Sequence, residues 1–122
     1  MLNSQVNLNS LDIQQARIKF ILFKSKLRSI LYGGTLDDTL LSPRDNALGQ
    51  WLYTSALNKY SYIPEIRELE RLNVHVTRQA QDLVNLYKRG KIEEARNGLG
   101  NLDFTEEELT RLISVIQTKA AA

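Results

Sequence analysis

The sequence predicts an all-α fold: an antiparallel four-helix bundle with a short second helix and a broken C-terminal helix. Apolar residues recur at alternating spacings of three and four over long segments, which is typical of the seams of packed helices. Only 6 glycines and 2 prolines interrupt the 122 residues, so long helices are possible. Hydrophobic residues make up 43% of the chain and charged residues 25%, which indicates one globular domain rather than a disordered chain.

The first helix is expected to begin near Ser10, a suitable N-cap, with Asp12 in its first turn. It is expected to end at the Gly33-Gly34 pair, where a left-handed residue can close it. Six apolar residues form its seam: Ile13, Ala16, Phe20, Phe23, Leu27 and Ile30. Three others lie off the seam and predict an exposed patch that suits a dimer or a partner helix: Ile18, Leu22 and Leu31.

Five basic residues follow the polar face of this helix: Arg17, Lys19, Lys24, Lys26 and Arg28. Nucleic acid, anionic lipid or an acidic partner would each suit such a face. A solvated face is the favoured interpretation, because 14 acidic residues nearly balance the 16 basic ones and no aromatic residue interleaves with the lysines.

The second helix is predicted over about residues 43–58, since Ser42-Pro43 provides an N-cap followed by a proline at the first helical position. Its apolar face consists of Leu48, Trp51, Leu52 and Leu57. Gly49 lies inside this helix at a cost of about 1 kcal/mol against alanine, so we expect it to permit close packing of another helix.

The third helix is expected to begin at Pro64 and to end at Gly90. It carries the clearest seam of the chain, with one polar member: Tyr62, Ile66, Leu69, Asn73, Val76, Ala80, Leu83 and Tyr87. The alternation of spacings is unbroken, which favours a helix packed along its whole length.

The C-terminal part is predicted to contain a short helix over residues 91–97, a break over residues 98–101 and a last helix over about 105–119. Thr105 and Glu108 match a capping box for that last helix. Its buried residues are expected to be Leu109, Leu112, Ile113 and Ile116. Residues 1–10 are then a polar N-terminal segment, and residues 11–119 form a single helical bundle domain.

No catalytic residues are predicted. The chain has no cysteine, which excludes disulfides, thiolate chemistry and Cys-ligated metal sites, and suits a cytoplasmic protein. The one histidine, His75, lies off the seam of the third helix and is interpreted as a solvated side chain. The paired carboxylates lie in a loop or in first turns, where the helix dipole explains them. Gly98 and Gly100 lack the strand and the third glycine of a dinucleotide-binding loop.

Membrane and nucleic-acid binding are not indicated either. No segment approaches the roughly 18 apolar residues of a membrane span, and the N-terminus lacks the pattern of a signal peptide. A net charge of +2 makes no case for nucleic acid.

The most distinctive segment covers residues 46–53 and reads Asn-Ala-Leu-Gly-Gln-Trp-Leu-Tyr. It resembles the core motif of the chemoreceptor zinc-binding domain, in which a cysteine is followed by any residue, an apolar residue, Gly, any residue and an aromatic or apolar residue. The matching residues are Leu48, Gly49, Trp51, Leu52 and Tyr53. The approach to the third helix through Tyr62 and Pro64, and the Gly90 to Ala95 segment, are also similar. The resemblance covers roughly residues 11–117.

The zinc ligands of that family are a histidine on the first helix, the cysteine of the motif and a His-x-x-x-His pair on a later helix. The resemblance places these four positions on Phe20, Asn46, Asn73 and Thr77. A phenyl ring, two amides and a hydroxyl cannot hold Zn²⁺, which prefers imidazole or thiolate, so no metal and no other cofactor is expected. We expect the two asparagines and the threonine to form a small hydrogen-bonded cluster beneath the ring of Phe20.

The resemblance implies a cytoplasmic regulatory or sensory domain of bacterial signal transduction such as chemotaxis, in a family whose members are commonly dimeric and attached to chemoreceptors or diguanylate cyclases. We therefore expect a non-catalytic domain that acts through protein contacts, with a homodimer favoured. A free-standing adaptor, which Met1 favours, and a degenerate module that only dimerises both remain open. The alternative is a structural or scaffolding bundle unrelated to signalling.

Overall fold

The computed structural model describes the backbone of residues 2–121 and the side chains of residues 8–121. The chain is an all-α helical bundle that is 83% helical and, within the described residues, contains no strand. The elements in chain order are α1 (Leu2–Leu31), a 3₁₀ turn (Asp38–Leu41), α2 (Ala47–Trp51), a π-helical turn (Leu52–Ala56), α3 (Leu57–Lys59), α4 (Glu65–Lys88), α5 (Ile92–Asn97), a second 3₁₀ turn (Gly98–Asn101) and α6 (Leu102–Ala121).

Helix α6 packs against both α1 and α4 and runs antiparallel to each. Gln117, near the end of α6, donates to the hydroxyl of Ser10 at 3.0 Å, near the start of α1. Lys119 pairs with Glu65, the first residue of α4, at 2.7 Å. The α2–α3 segment closes the remaining side of the bundle, with α2 against α1 and α4.

Helix α1 begins much earlier than predicted. It starts at Leu2 and passes through Ser10, so the expected N-cap at Ser10 is wrong. Residues 2–10 are helical rather than a separate polar segment, and Met1 lies outside the described residues. Nothing in these polar residues breaks a helix, and the hydroxyl of Ser10 bonds to α6 instead of capping. The predicted end is confirmed, since Gly33 follows α1 with a φ of +99°.

All six predicted seam residues of α1 are buried. Of the three residues predicted as an exposed patch, Ile18 and Leu22 are exposed but Leu31 is fully buried, which corrects the prediction. Leu31 ends the helix where α5 packs against α1, and Arg96 of α5 donates to its carbonyl oxygen at 2.8 Å. The spacing of apolar residues within α1 gives no information about this contact with α5.

The second helix is shorter and later than predicted. Residues 43–45 form a turn, and the N-cap is Asn46 in an extended conformation rather than Ser42. The amide of Asn46 still bonds to the Ser42 carbonyl at 3.0 Å, so Pro43 does begin a helix-like turn. The ψ of 164° at Asn46 interrupts it before Ala47.

Gly49 permits a close approach, but not of another helix as predicted. A Cβ atom at this position would lie 1.8 Å from the carbonyl oxygen of Pro43. The neighbour is the backbone of the 43–45 turn, which cannot move aside as the end of a flexible side chain would. Glycine is therefore required for the turn to fold back onto α2.

Helix α4 follows the prediction closely. Pro64 caps it, and Gly90 ends it with a φ of +82°. Six of the predicted seam residues are buried, from Ile66 to Leu83, and Tyr87 is half-buried. Tyr62 is exposed because it lies in the turn before the helix, where the helical period no longer applies.

The predicted break before the last helix is a 3₁₀ turn that runs directly into α6 at Leu102. Thr105 is therefore inside α6 and does not cap it, which corrects the predicted capping box. Its hydroxyl instead donates to Oε1 of Gln79 on α4 at 3.1 Å. The four residues expected to be buried on α6 are buried.

Candidate functional site

Three polar side chains lie inside the bundle at the positions that the family resemblance assigned to zinc ligands. We call Asn46, Asn73 and Thr77 the inner polar cluster; all three are buried. Asn46 donates through Nδ2 to the hydroxyl of Thr77 at 3.0 Å, and its Oδ1 accepts from the amide of Gly49 at 2.8 Å. Asn46 therefore caps α2 and joins it to α4 with one side chain.

Asn73 is connected less completely than expected. Its Nδ2 donates to the carbonyl of Pro43 at 2.8 Å, and it reaches Thr77 only through its backbone carbonyl, which accepts the Thr77 hydroxyl at 2.6 Å. Its Oδ1 is buried and has no hydrogen-bond partner among the described residues. The hydrogen bond between Asn46 and Thr77 was predicted from the sequence. The expected hydrogen bond between Asn73 and Asn46 is not formed, because the Asn73 side chain donates to the Pro43 carbonyl instead.

The fourth position, Phe20, is buried in α1, and its ring is stacked near that of Phe23 with centroids 6.4 Å apart. The four positions therefore supply two amides, one hydroxyl and an aromatic ring, all neutral. None of these side chains titrates near neutral pH, and the Thr77 hydroxyl both accepts from Asn46 and donates to the Asn73 carbonyl. Within the part of the chain that the structure describes, no group of three or more His, Asp and Glu side chains is placed to hold a metal ion.

The motif around Trp51 is tied to α1 by an aspartate whose role the sequence did not predict. We call Asp12, Trp51, Lys59 and Tyr60 the Asp12 clamp. Oδ1 of Asp12 accepts the indole N–H of Trp51 at 3.1 Å, and Oδ2 accepts the hydroxyl of Tyr60 at 2.5 Å. Lys59 lies 3.3 Å from Oδ2. The remaining motif residues pack into the core, with Leu48 and Leu52 buried and Tyr53 half-buried.

Burial and hydrogen bonding set the protonation states within the Asp12 clamp. Burial raises the pKa of Asp12, but the hydrogen bonds from Tyr60, Trp51 and Lys59 outweigh burial and lower this pKa overall. Burial and the neighbouring Asp12 carboxylate raise the pKa of Tyr60. The two shifts both favour a carboxylate next to a neutral phenol, so no proton is transferred between them near neutral pH.

His75 is exposed on α4, as expected for a solvated side chain. It lines an open groove between α4 and α6 together with Arg71 and Phe104. It forms no hydrogen bond or ion pair with the side chains that the structure describes. Glu68, Thr105 and Glu108 line the same groove, but none of them is hydrogen-bonded to His75 as the members of a catalytic triad are to one another.

The exposed apolar surface of α1 contains more residues than the sequence predicted. We call Leu8, Leu11, Ile18, Ile21 and Leu22 the outer face of α1; these side chains are 66%, 66%, 66%, 51% and 44% exposed. Four of them fall on a second heptad register of the same helix, opposite the buried seam, and that register is visible in the sequence. No helix in the described residues is both long and apolar enough to cross a membrane.

We predict that Asn46→Ala lowers the free energy of unfolding by about 1–3 kcal/mol, because it removes the N-cap of α2 and a buried hydrogen bond. Asn73→Leu should cost less, since it also removes the unpaired Oδ1. Urea unfolding followed by the fluorescence of Trp51 measures both. Asn58→Ala, at an exposed position of α3, is the matched control and should be neutral. An equal cost for the two buried substitutions would contradict the bonding described here.

The Asp12 clamp predicts a pH dependence with a defined sign. The pKa of Asp12 is lower in the folded chain than its model value of 3.8, so its contribution is present above that value and is lost as the pH falls below it. Asp12→Asn should therefore destabilise the protein by about 1–2 kcal/mol near pH 7. The difference from the wild type should shrink towards pH 3 (roughly) as the wild-type carboxyl is protonated.

Urea unfolding at the two pH values measures this difference directly. Asp82→Asn is the matched control, because Asp82 is exposed on α4 and forms no ion pair with the described residues. A difference between wild type and Asp12→Asn that stays constant with pH would show that the charge of Asp12 contributes nothing.

Comparison of the chain with protein-family models, with curated proteins and with solved structures finds no match. The resemblance to the chemoreceptor zinc-binding domain therefore depends on the residues themselves, on the motif from Leu48 to Tyr53 and on the four positions assigned to its ligands.

Proposed function

We propose that this protein is a non-catalytic regulatory module similar to the chemoreceptor zinc-binding domain, acting in bacterial signal transduction through protein contacts and without bound zinc. The observation that carries the proposal is the contact between Asn46 and Thr77. These residues are 31 positions apart, lie on different elements, and meet at 3.0 Å inside the bundle. Two residues assigned independently to ligands of one metal must be this close.

The other two assigned positions add support. Asn73 lies one turn before Thr77 on α4, and Phe20 is buried on α1. All four positions thus point to the interior from three helical segments. Neutral residues at these positions let the core remain folded without a metal charge to balance, which suits a domain whose metal-dependent response has been lost.

We predict that zinc binding can be restored by Phe20→His, Asn46→Cys, Asn73→His and Thr77→His together. Three imidazoles and one thiolate provide the tetrahedral set that Zn²⁺ prefers. The expected result is one zinc per chain after gel filtration, measured by elemental analysis, with thermal stability raised by zinc. The matched control carries Asn46→Ser in place of Asn46→Cys and should bind zinc far more weakly.

The native protein, purified without added metal, should contain no stoichiometric zinc. Stoichiometric zinc in the native protein, removed only by chelators, would overturn the zinc-free part of the proposal. A quadruple variant that is helical by circular dichroism and still fails to bind zinc would overturn the assigned register. If the quadruple variant does not fold, Asn46→Cys with Thr77→His tests the central contact alone, since a two-ligand site should bind zinc more tightly than either single variant.

The second candidate is a structural or scaffolding dimer unrelated to signalling, and the outer face of α1 favours it. Homodimerisation, expected from the sequence, also remains a prediction within the regulatory proposal. Light scattering of the wild type and of Ile18→Glu separates the candidates. A wild-type dimer that Ile18→Glu converts to a monomer supports scaffolding through α1. We expect instead that Ile18→Glu leaves the molar mass unchanged, because we assign the outer face of α1 to contact with a different protein.

A further inference from the structure

We propose that the outer face of α1 is a docking site for an acidic amphipathic helix of a partner protein. The proposal rests on the proposed function only in requiring action through protein contacts. It does not depend on the positions assigned to the zinc ligands. Failure of the zinc-restoration experiment and failure of the docking experiment can therefore be distinguished.

The apolar part of the site is concentrated and regular. Among the described residues, nine large hydrophobic side chains are exposed, and five of them form the outer face of α1. They extend from Leu8 to Leu22, about 21 Å along the helix. An apolar stripe of this kind on an otherwise charged helix marks an interaction surface rather than scattered exposure.

The spacing specifies a helix as the occupant. Leu8, Leu11, Ile18 and Leu22 occupy alternating positions three and four apart, with Gln15 at the intervening position. This is the pattern that accepts the side chains of a facing helix between its own. The inner seam of α1 uses the same spacing to pack against the rest of the bundle, so α1 is a helix with two heptad faces.

The charges select the partner. At 100° per residue, Lys19 and Lys26 lie along one edge of the stripe, and Arg17 and Arg28 lie along the other. The only acid of α1 is Asp12, and both of its oxygens are engaged in the clamp. Both edges of the outer face of α1 are therefore cationic. Lys26 lies 3.7 Å from Asp37 in the loop after α1, and Arg17 donates to the hydroxyl of Thr110 on α6 at 3.2 Å. Lys19 and Arg28 form no ion pair with the described side chains, so they are the cations that a partner can neutralise.

This distribution disfavours a second copy of the same face, because each copy would place cations against cations at the positions that flank a helix pair. A partner helix with glutamates at those flanking positions would pair with Lys19 on one edge and Arg28 on the other. An anionic lipid surface would also attract the cations, but it does not require the regular spacing of three and four along the outer face of α1, which a facing helix does. The acidic helix is thus the occupant that the face fits best.

The probe is a fluorescein-labelled synthetic helix of about three heptads, with leucine at the seam positions and glutamate at the flanking positions. A second peptide has lysine in place of those glutamates. Fluorescence anisotropy with the full chain should give saturable binding of the glutamate peptide and several-fold weaker binding of the lysine peptide, because two flanking ion pairs are replaced by two repulsions. Binding should weaken as sodium chloride is raised to about 0.5 M.

Variants locate the site. Ile18→Glu should abolish binding, whereas Phe104→Glu, at an equally exposed apolar residue of α6, should leave it unchanged. Lys19→Glu combined with Arg28→Glu should reverse the preference, so that the lysine peptide binds more tightly than the glutamate peptide. This reversal cannot be produced by a variant that fails to fold. The matched charge control, Lys88→Glu on α4, should keep the original preference.

Three outcomes would overturn the proposal. The first is equal binding of the two peptides, or binding of neither. The second is a wild-type dimer that Ile18→Glu dissociates, because a second copy would then occupy the face. The third is flotation of the protein with vesicles of equal parts phosphatidylcholine and phosphatidylserine, lost in Ile18→Glu and with no peptide preference, which would assign the face to lipid.

Discussion

The approach of the Pro43 carbonyl to α2 is the constraint on which the interior of this protein depends. That carbonyl lies where a Cβ of residue 49 would be, and it accepts the side-chain amide of Asn73. Because Gly49 lets the turn fold in, Asn46 is held in the extended conformation that allows it to cap α2. The same side chain then reaches Thr77. The absence of a side chain at Gly49 thus allows the 43–45 turn, α2 and α4 to pack together.

The regular parts of the fold could be predicted because their causes are local. The seams of α1 and α4 are periodic in the sequence, and each glycine that ends them is adjacent to the last turn. Residue choices determined by distant partners could not be read in this way. Ser42 and Asn46 are both acceptable caps, and the contacts of this turn with Gly49, Asn73 and Thr77 favour the second. Leu31 is buried by α5, some sixty residues further along the chain.

The candidate site shows the same difference between residues determined locally and residues determined by distant partners. The positions Phe20, Asn46, Asn73 and Thr77 could be named from a motif, and the structure brings Asn46 and Thr77 together. Asn73 does not bond to Asn46 as predicted, because its side-chain amide donates to the backbone carbonyl of Pro43 instead. Asp12 was missed, since an acid in a helix has a sufficient explanation in the helix dipole until Trp51 and Tyr60 are seen to converge on it.

The π-helical turn over residues 52–56 has a consequence for that convergence. Trp51 and Tyr60 are nine residues apart, which in a regular α-helix would place them about 180° apart around the axis. A π-helical turn accommodates one additional residue and so rotates everything after it back by about 100°. Indole and phenol can then approach the same carboxylate. The rotational phase of this segment, set by a single extra residue, decides which side chains meet Asp12.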